Sequence, residues 1–164
     1  MNLDPEQHII KGWSFQDILL EFYRYTPCPP EWLPEHCHEE YQFCLSIDCP
    51  GEYYYRGTHY WVSDGSLSVI HPGEMHTDRD VEDRQSPATF RMMYVSPAVV
   101  KMAAAEVAGG DTNQPFFPFF AQPIVLDSGL ACAIATGTQA NTRHLLLLQQ
   151  ALQIRTVNLQ TKSY

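Results

Sequence analysis

Two histidines one residue apart, His36 and His38, open the stretch LPEHCHEEYQFCLSIDCPGEYYY. In an extended strand alternate side chains share a face, so both imidazoles point the same way, and Glu40, Gln42, Cys44 and Ser46 continue that row. The opposite row, Tyr41, Phe43, Leu45 and Ile47, is far more apolar and is the expected packing face. Further on, VIHPGEMH places His76 just beyond a Pro-Gly pair, where Gly73 suits the positive φ of a type II turn. A hairpin-rich sheet would carry His76 back opposite the first pair. Such a trio has two chemistries open to it. It can hold a metal ion, or it can line a cavity in which His36, His38, His76 and Gln42 supply a few placed donors and acceptors to a small organic ligand. Hydrogen bonding among neighbours near a barrel mouth is the plain alternative to both.

Three further positions are candidates for the same ligand. GEYYYRGTHYWV reads as a hairpin with Tyr53 and Tyr55 on one face and Tyr54 on the other. An inward Tyr53 and Tyr55 would grip a sugar, an aromatic or an amino acid by stacking and hydrogen bonding. Register decides which row faces in, because a slip of one residue exchanges the faces. In ATFRMMYVS, Arg91 is placed to clamp a ligand carboxylate through a bidentate contact, or else to face solvent. Trp32 and Trp61 read as core. Nucleophilic catalysis is weakly supported: there is no GxSxG, no Cys or Ser sits in a recognisable activating context, and Cys37 should project away from its flanking histidines. The 5 cysteines are an odd number with no CxxC pair, which reads as reduced thiols.

The elements that must position these residues follow from punctuation and periodicity. From Trp32 to Val95, short segments rich in Tyr, Phe, Val and Ile are cut by Cys49-Pro50-Gly51, Arg56-Gly57, Asp64-Gly65 and Pro72-Gly73. Turns recurring every ~8–12 residues point to an antiparallel sandwich or barrel. Before it, Ser14 to Phe22 has the spacing of a short helix, capped by Ser14 and carrying Phe15, Ile18, Leu19 and Phe22 on one face; the proline-rich TPCPPEW follows as a hinge. After Ser96-Pro97, AVVKMAAAEVAGG predicts a helix of about three turns. DTNQPFFPFFAQP is a loop whose aromatics need a packing partner, and PIVLD is a last strand. Leu145, Leu148 and Leu152 recur at helical spacing within a run of leucines, so that helix either covers the barrel or pairs with a second chain.

The chain has 164 residues, enough for one domain, and a formal charge of −9 from 19 acidic and 10 basic residues. Scattered basic residues within an acidic chain exclude DNA binding by these residues alone. No segment approaches the ~20 apolar residues of a membrane span, and the expectation is a soluble cytoplasmic protein without a membrane partner.

The residues so far resemble a known family. His36-x-His38 with a polar residue at 42, then Gly65, Pro72-Gly73 and His76, is similar to the two cupin motifs. More closely, HCHEEYQFCLSID followed by GEYYYRGTHYWVSDGSLSVIHPGEMH resembles the N-terminal effector-binding domain of AraC-type transcription regulators. The resemblance covers roughly Trp32 to Val95. It implies a mainly β fold, a cupin-like double-stranded β-helix (jelly-roll barrel) with flanking C-terminal helices. Residues 1–30 would then be an N-terminal arm, with Trp13 and Phe15 suited to a lid, 31–127 the barrel, and 128–164 a helical segment for dimerisation.

In metal-binding cupins two histidines and a glutamate on one strand, with a histidine on another, hold a divalent metal. Here Gln42 stands where the carboxylate would be, and a neutral amide is a much weaker partner for a divalent cation. Glu40 or Glu74 is available to compensate, and three imidazoles alone hold Zn, Fe or Ni. No cofactor is therefore expected, with a divalent Fe, Mn, Zn or Ni ion as the alternative. By resemblance the function is effector binding and dimerisation within a bacterial transcription regulator, and the partners are a small sugar, amino acid or aromatic effector and a second copy bound through the C-terminal helix. DNA would be read by a helix-turn-helix domain, which these residues lack. The alternative is a small metal-dependent cupin enzyme, an oxygenase or isomerase; an open-faced carbohydrate-binding module is a third reading.

Overall fold

The structure, a computed structural model, describes residues 7–15, 17–27, 29–81, 83–108, 119–125, 131–132 and 134–135. In chain order its elements are β1 (Gln7–Phe15), β2 (Ile18–Tyr25), β3 (Tyr41–Ser46), β4 (Gly51–Tyr55), β5 (Thr58–Val62), β6 (Leu67–Ile70), β7 (His76–Asp80), β8 (Ala88–Val95), α1 (Pro97–Ala108) and β9 (Ile124–Val125). Two antiparallel sheets form, one in the order β1-β2-β8-β3-β6-β9 and one in the order β5-β4-β7. This is the mainly β, antiparallel architecture that the turn spacing implied and the cupin-like barrel that the family resemblance implied.

β3 is buried on both faces. Tyr41, Phe43 and Leu45 pack with Leu67, Val69, Met93 and Val95 of neighbouring strands and with Val100 of α1. Each such side chain contributes about 1.5–3 kcal/mol by leaving water. Gln42, Cys44 and Ser46 turn the other way, into the space between the sheets, where burial sets Cys44 against Tyr53 of β4 and Ser68 of β6. Ile47, expected on the packing row, lies past the end of β3 and is exposed.

Turn chemistry sets the sheet edges. Arg56 (φ 51°) and Gly57 (φ 74°) are both left-handed, the pattern that a two-residue hairpin needs to match strand twist. His71 to Glu74 close a turn in which the Glu74 amide donates to the His71 carbonyl (3.3 Å), with Pro72 second and Gly73 third at φ 71°. α1 begins as expected: Ser96 Oγ accepts from the Val99 amide (3.4 Å) and Pro97 occupies the first helical position.

Three expectations need correction. Ser14 to Phe22 is not a helix; its residues belong to β1 and β2, which pair with each other. β2 zips onto β8 from Ile18↔Val95 to Tyr25↔Ala88. The long pairing outweighs a helical spacing that was only local. Residues 7–25, expected within an arm, thus supply two strands of the larger sheet. Secondly, His36 and His38 do not share a strand with Gln42, because the chain bends at Glu39 and Glu40 and crosses between the sheets. Thirdly, Trp32 (39% exposed) and Trp61 (60% exposed) are surface residues and not core. Leu145, Leu148, Leu152 and most of segment 128–164 lie outside the described residues, as does the side chain of Phe15. Among the described residues no helix is long and apolar enough to cross a membrane.

Candidate functional site

His76 opens β7, and both edges of that strand are occupied. On one side Tyr55 of β4 stands opposite His76. On the other, residues 33–36 lie alongside: the His36 amide donates to the His76 carbonyl and the His76 amide donates back to the His36 carbonyl, both at 3.0 Å. The Leu33 amide donates to the Asp78 carbonyl (2.9 Å), and the Gly73 amide to the His38 carbonyl (2.8 Å). Backbone pairing therefore brings the three imidazoles together, with ring centroids 4.3 Å (His36 to His76), 5.0 Å (His36 to His38) and 5.4 Å (His38 to His76) apart. One nitrogen from each lies within 4.8 Å of the others.

The tautomers follow from the acceptors. Nδ1 of His36 donates to the Pro34 carbonyl (2.9 Å) and Nδ1 of His76 to the Glu74 carbonyl (3.1 Å), which leaves an Nε2 lone pair on each ring. Such carbonyl partners are the usual way of fixing a metal-binding imidazole. Nε2 of His38 and of His76 is buried and makes no hydrogen bond. Burial holds His76 down at about 4, with His36 and His38 adding to the effect and the Glu74 carbonyl opposing it. Burial likewise lowers His38, which the Gln42 side chain and Glu40 partly offset. Imidazoles with unused nitrogen atoms, converging on one point, fit a divalent transition metal. Neither Glu40 nor Glu74 joins the cluster. Outside it, His38, Glu40, Tyr94 and Glu21 border an open groove of about 560 Å³ under the β1–β2 turn.

Between the sheets lies a second space, a cavity of about 190 Å³ bordered by Tyr25, Trp32, Cys44, Tyr53, Asp78 and Met92. Asp78 is two residues from His76 on the same strand face, and burial pushes its carboxyl up to about 6, with His36 opposing. Burial pushes the Cys44 thiol up to about 12, which removes it as a nucleophile at neutral pH. Burial also raises Tyr53 and Tyr25, so both phenols stay protonated as hydrogen-bond donors.

The expected site residues separate accordingly. His36, His38 and His76 meet, and Gln42 is buried beside His38. Tyr53 and Tyr55 both face inward, but only Tyr53 reaches the cavity. Tyr55 instead places its hydroxyl 2.7 Å from Nδ1 of His71. Arg91 does not join them: Phe90 and Met92 take the inward positions of β8, so strand alternation turns Arg91 to the opposite face, over the Phe22 ring at 4.9 Å. Two residues were missed. Asp78 was legible, since period-two alternation in HTDRD puts it on the His76 face. His71 had no such signal, because its partner Phe120 is 49 residues away.

Several solved structures are similar at low identity. The chain is similar to AerE from Microcystis aeruginosa (16% identity, TM-score 0.48, covering 58% of this chain and 44% of that one). It is also similar to a conserved protein of unknown function from Streptococcus pyogenes (15% identity, TM-score 0.47, covering 57% and 77%). A third is a cupin family protein with a double-stranded β-helix fold from Methanocaldococcus jannaschii (9% identity, TM-score 0.46, covering 58% and 85%). No curated protein matches the chain at a significant level. The AraC-like ligand binding domain profile, however, matches residues 19–153, which take in β3 to β9 and all of β2 but its first residue. This chain belongs to the AraC-like ligand-binding domain family.

Proposed function

We propose that this chain is the effector-binding part of an AraC-type bacterial transcription regulator, holding a small molecule between its two sheets. The observation that carries the reading is the cavity beside Asp78: it offers protonated phenols and a carboxyl on aromatic walls, and its one thiol is pushed far from reactivity. A sensor needs only differential binding between two arrangements of its chain, and for that a recognition cavity suffices. Dimerisation through the leucine-rich segment and DNA binding through a separate helix-turn-helix domain belong to the same reading. The formal charge of −9 leaves DNA contact to that other domain.

One observation favours a second reading, a metal-dependent cupin enzyme of oxygenase or isomerase type: the buried, unpaired Nε2 atoms of His38 and His76. His36, His38 and His76 would hold an iron, manganese, zinc or nickel ion, which would supply Lewis acidity. Burial keeps His38 and His76 neutral, and the Pro34 and Glu74 carbonyls orient His36 and His76. Gln42, in place of a carboxylate, keeps the site less charged.

Calorimetric titration with sugars, amino acids and aromatic compounds, with and without added Fe(II), Mn(II), Zn(II) or Ni(II), separates the two. Saturable binding with every ligand recovered unchanged is the expected result. Conversion of any of them by metal-loaded protein, lost in His76→Ala, would overturn the sensor reading and establish the enzyme.

A further inference from the structure

We propose that the cavity between the sheets selects a small organic cation, a protonated amine or quaternary ammonium, with Asp78 as its counter-ion. The proposal rests on the effector reading above and adds to it the charge of the ligand.

The argument begins with the charges that border the cavity. Glu52 is held by Arg79 through two contacts, at 2.9 Å to Nε and 2.7 Å to Nη2, and it also meets His59. Asp80 pairs with Arg84 at 2.7 Å. Both guanidinium groups at the cavity are therefore engaged, and neither is left over for an anionic ligand. On the acidic side Asp78 and Glu31 remain, each without an ion pair among the described residues. Glu31 is exposed at the rim, whereas Asp78 is half-buried and lines the cavity from β7. A half-buried carboxylate on a cavity wall without a cation is costly, and a ligand ammonium is the group that removes that cost.

The walls agree with the charge. Tyr25 and Phe90 stand edge to face 5.7 Å apart, and Tyr53 lines the same space. Aromatic faces around a desolvated position attract a cation through the ring quadrupole. Trp32 already shows the preference, with the Arg79 guanidinium 4.5 Å from its ring centre. At about 190 Å³ the space is smaller than the ~300–1,000 Å³ of drug-sized sites, so the ligand is compact.

The test uses the full chain and three phenethyl probes of one shape and different charge: phenethylamine, phenethyl alcohol and phenylacetate, with tetramethylammonium as the smallest cation. Calorimetry should give phenethylamine at least tenfold tighter binding than the alcohol and no binding of phenylacetate. Asp78→Asn should remove that preference and raise the melting temperature of the free protein. Glu31→Gln, at the rim, should change amine affinity less than threefold. Equal binding of amine and alcohol, or tighter binding of phenylacetate, overturns the charge assignment while leaving the effector reading intact. Absence of binding by these probes, together with every sugar and amino acid tried, removes the effector reading as well. An Asp78→Asn protein that keeps its amine preference, or that loses zinc uptake in its place, assigns Asp78 to another role. If that variant does not fold, the comparison of amine with alcohol in the unaltered protein still decides the ligand's charge.

Discussion

Buried histidines at neighbouring positions in this barrel are treated in opposite ways. His71 is fully used: Nδ1 lies 2.7 Å from the Tyr55 hydroxyl, Nε2 accepts the Phe120 amide at 2.9 Å, and the ring packs against Phe119 at 4.9 Å and Tyr41 at 5.6 Å. His76, five residues later, has one nitrogen fixed by a carbonyl and the other without a hydrogen-bond partner. A buried polar atom without a partner costs about 1–3 kcal/mol, so a fold under selection for stability alone would remove it. The contrast separates a histidine that pins the 119–120 segment to the barrel from histidines held ready for something else.

His76→Ala should break the contrast most sharply. Uptake of zinc or iron, followed by calorimetry and elemental analysis, should fall more than about a hundredfold, exceeding the ~10–100-fold typical of changes one shell further out. The metal-free variant should unfold within about 1 kcal/mol of the unaltered protein, because the lost side chain carried an unsatisfied atom. A collapse of metal-free stability would instead make His76 structural.

His71→Ala should do the reverse. It leaves the Phe120 amide unpaired, leaves the Tyr55 hydroxyl only the backbone amide of residue 71 at 3.3 Å, and opens a hole among aromatic rings, with an expected loss of about 3 kcal/mol in denaturant unfolding and metal uptake intact. Loss of metal uptake would merge the two regions into one.

Gln42→Glu sharpens the comparison from the metal side. An added carboxylate beside His38 should raise metal affinity about tenfold, and it should lower metal-free stability because the new charge is buried. Unchanged affinity would place position 42 beyond the reach of any ion at the trio. The smallest effect expected is from Tyr55→Phe, about 1 kcal/mol of stability for the hydroxyl that meets the ring and the amide of His71, read as a shift in the unfolding midpoint.

Much of this was legible because it is local. Gly57, Gly65 and Gly73 mark their turns by conformation, and Pro97 and the alanines mark α1. The spacing of His36, His38 and His76 was enough to foresee their meeting, although the route differed: strand alternation was expected to align His36 and His38, whereas backbone pairing with β7 does so. What escaped notice depends on long-range pairing. Ser14 to Phe22 carries a helical spacing that only the distant β8 overrides. The faces of Arg91 and Tyr53 hang on register, which no short window fixes. Trp32 and Trp61 were misjudged because size alone does not decide burial: Arg79 and Glu52 give the outer face of the smaller sheet a charged network on which Trp32 rests.

The reciprocal amide bonds between His36 and His76 have a kinetic corollary. Residues 33–36 are a strip clipped to the rim of β7, and the Leu33 amide on the Asp78 carbonyl is part of the same clip. Freeing the first histidine from the last means unzipping that strip, which also moves the cavity wall at Trp32 and Leu33. Deuterium should therefore enter the amides of Leu33, His36 and His76 as one cooperative unit. A guest at either the imidazoles or the cavity should slow all three together, so this seam of backbone reports on both chambers at once.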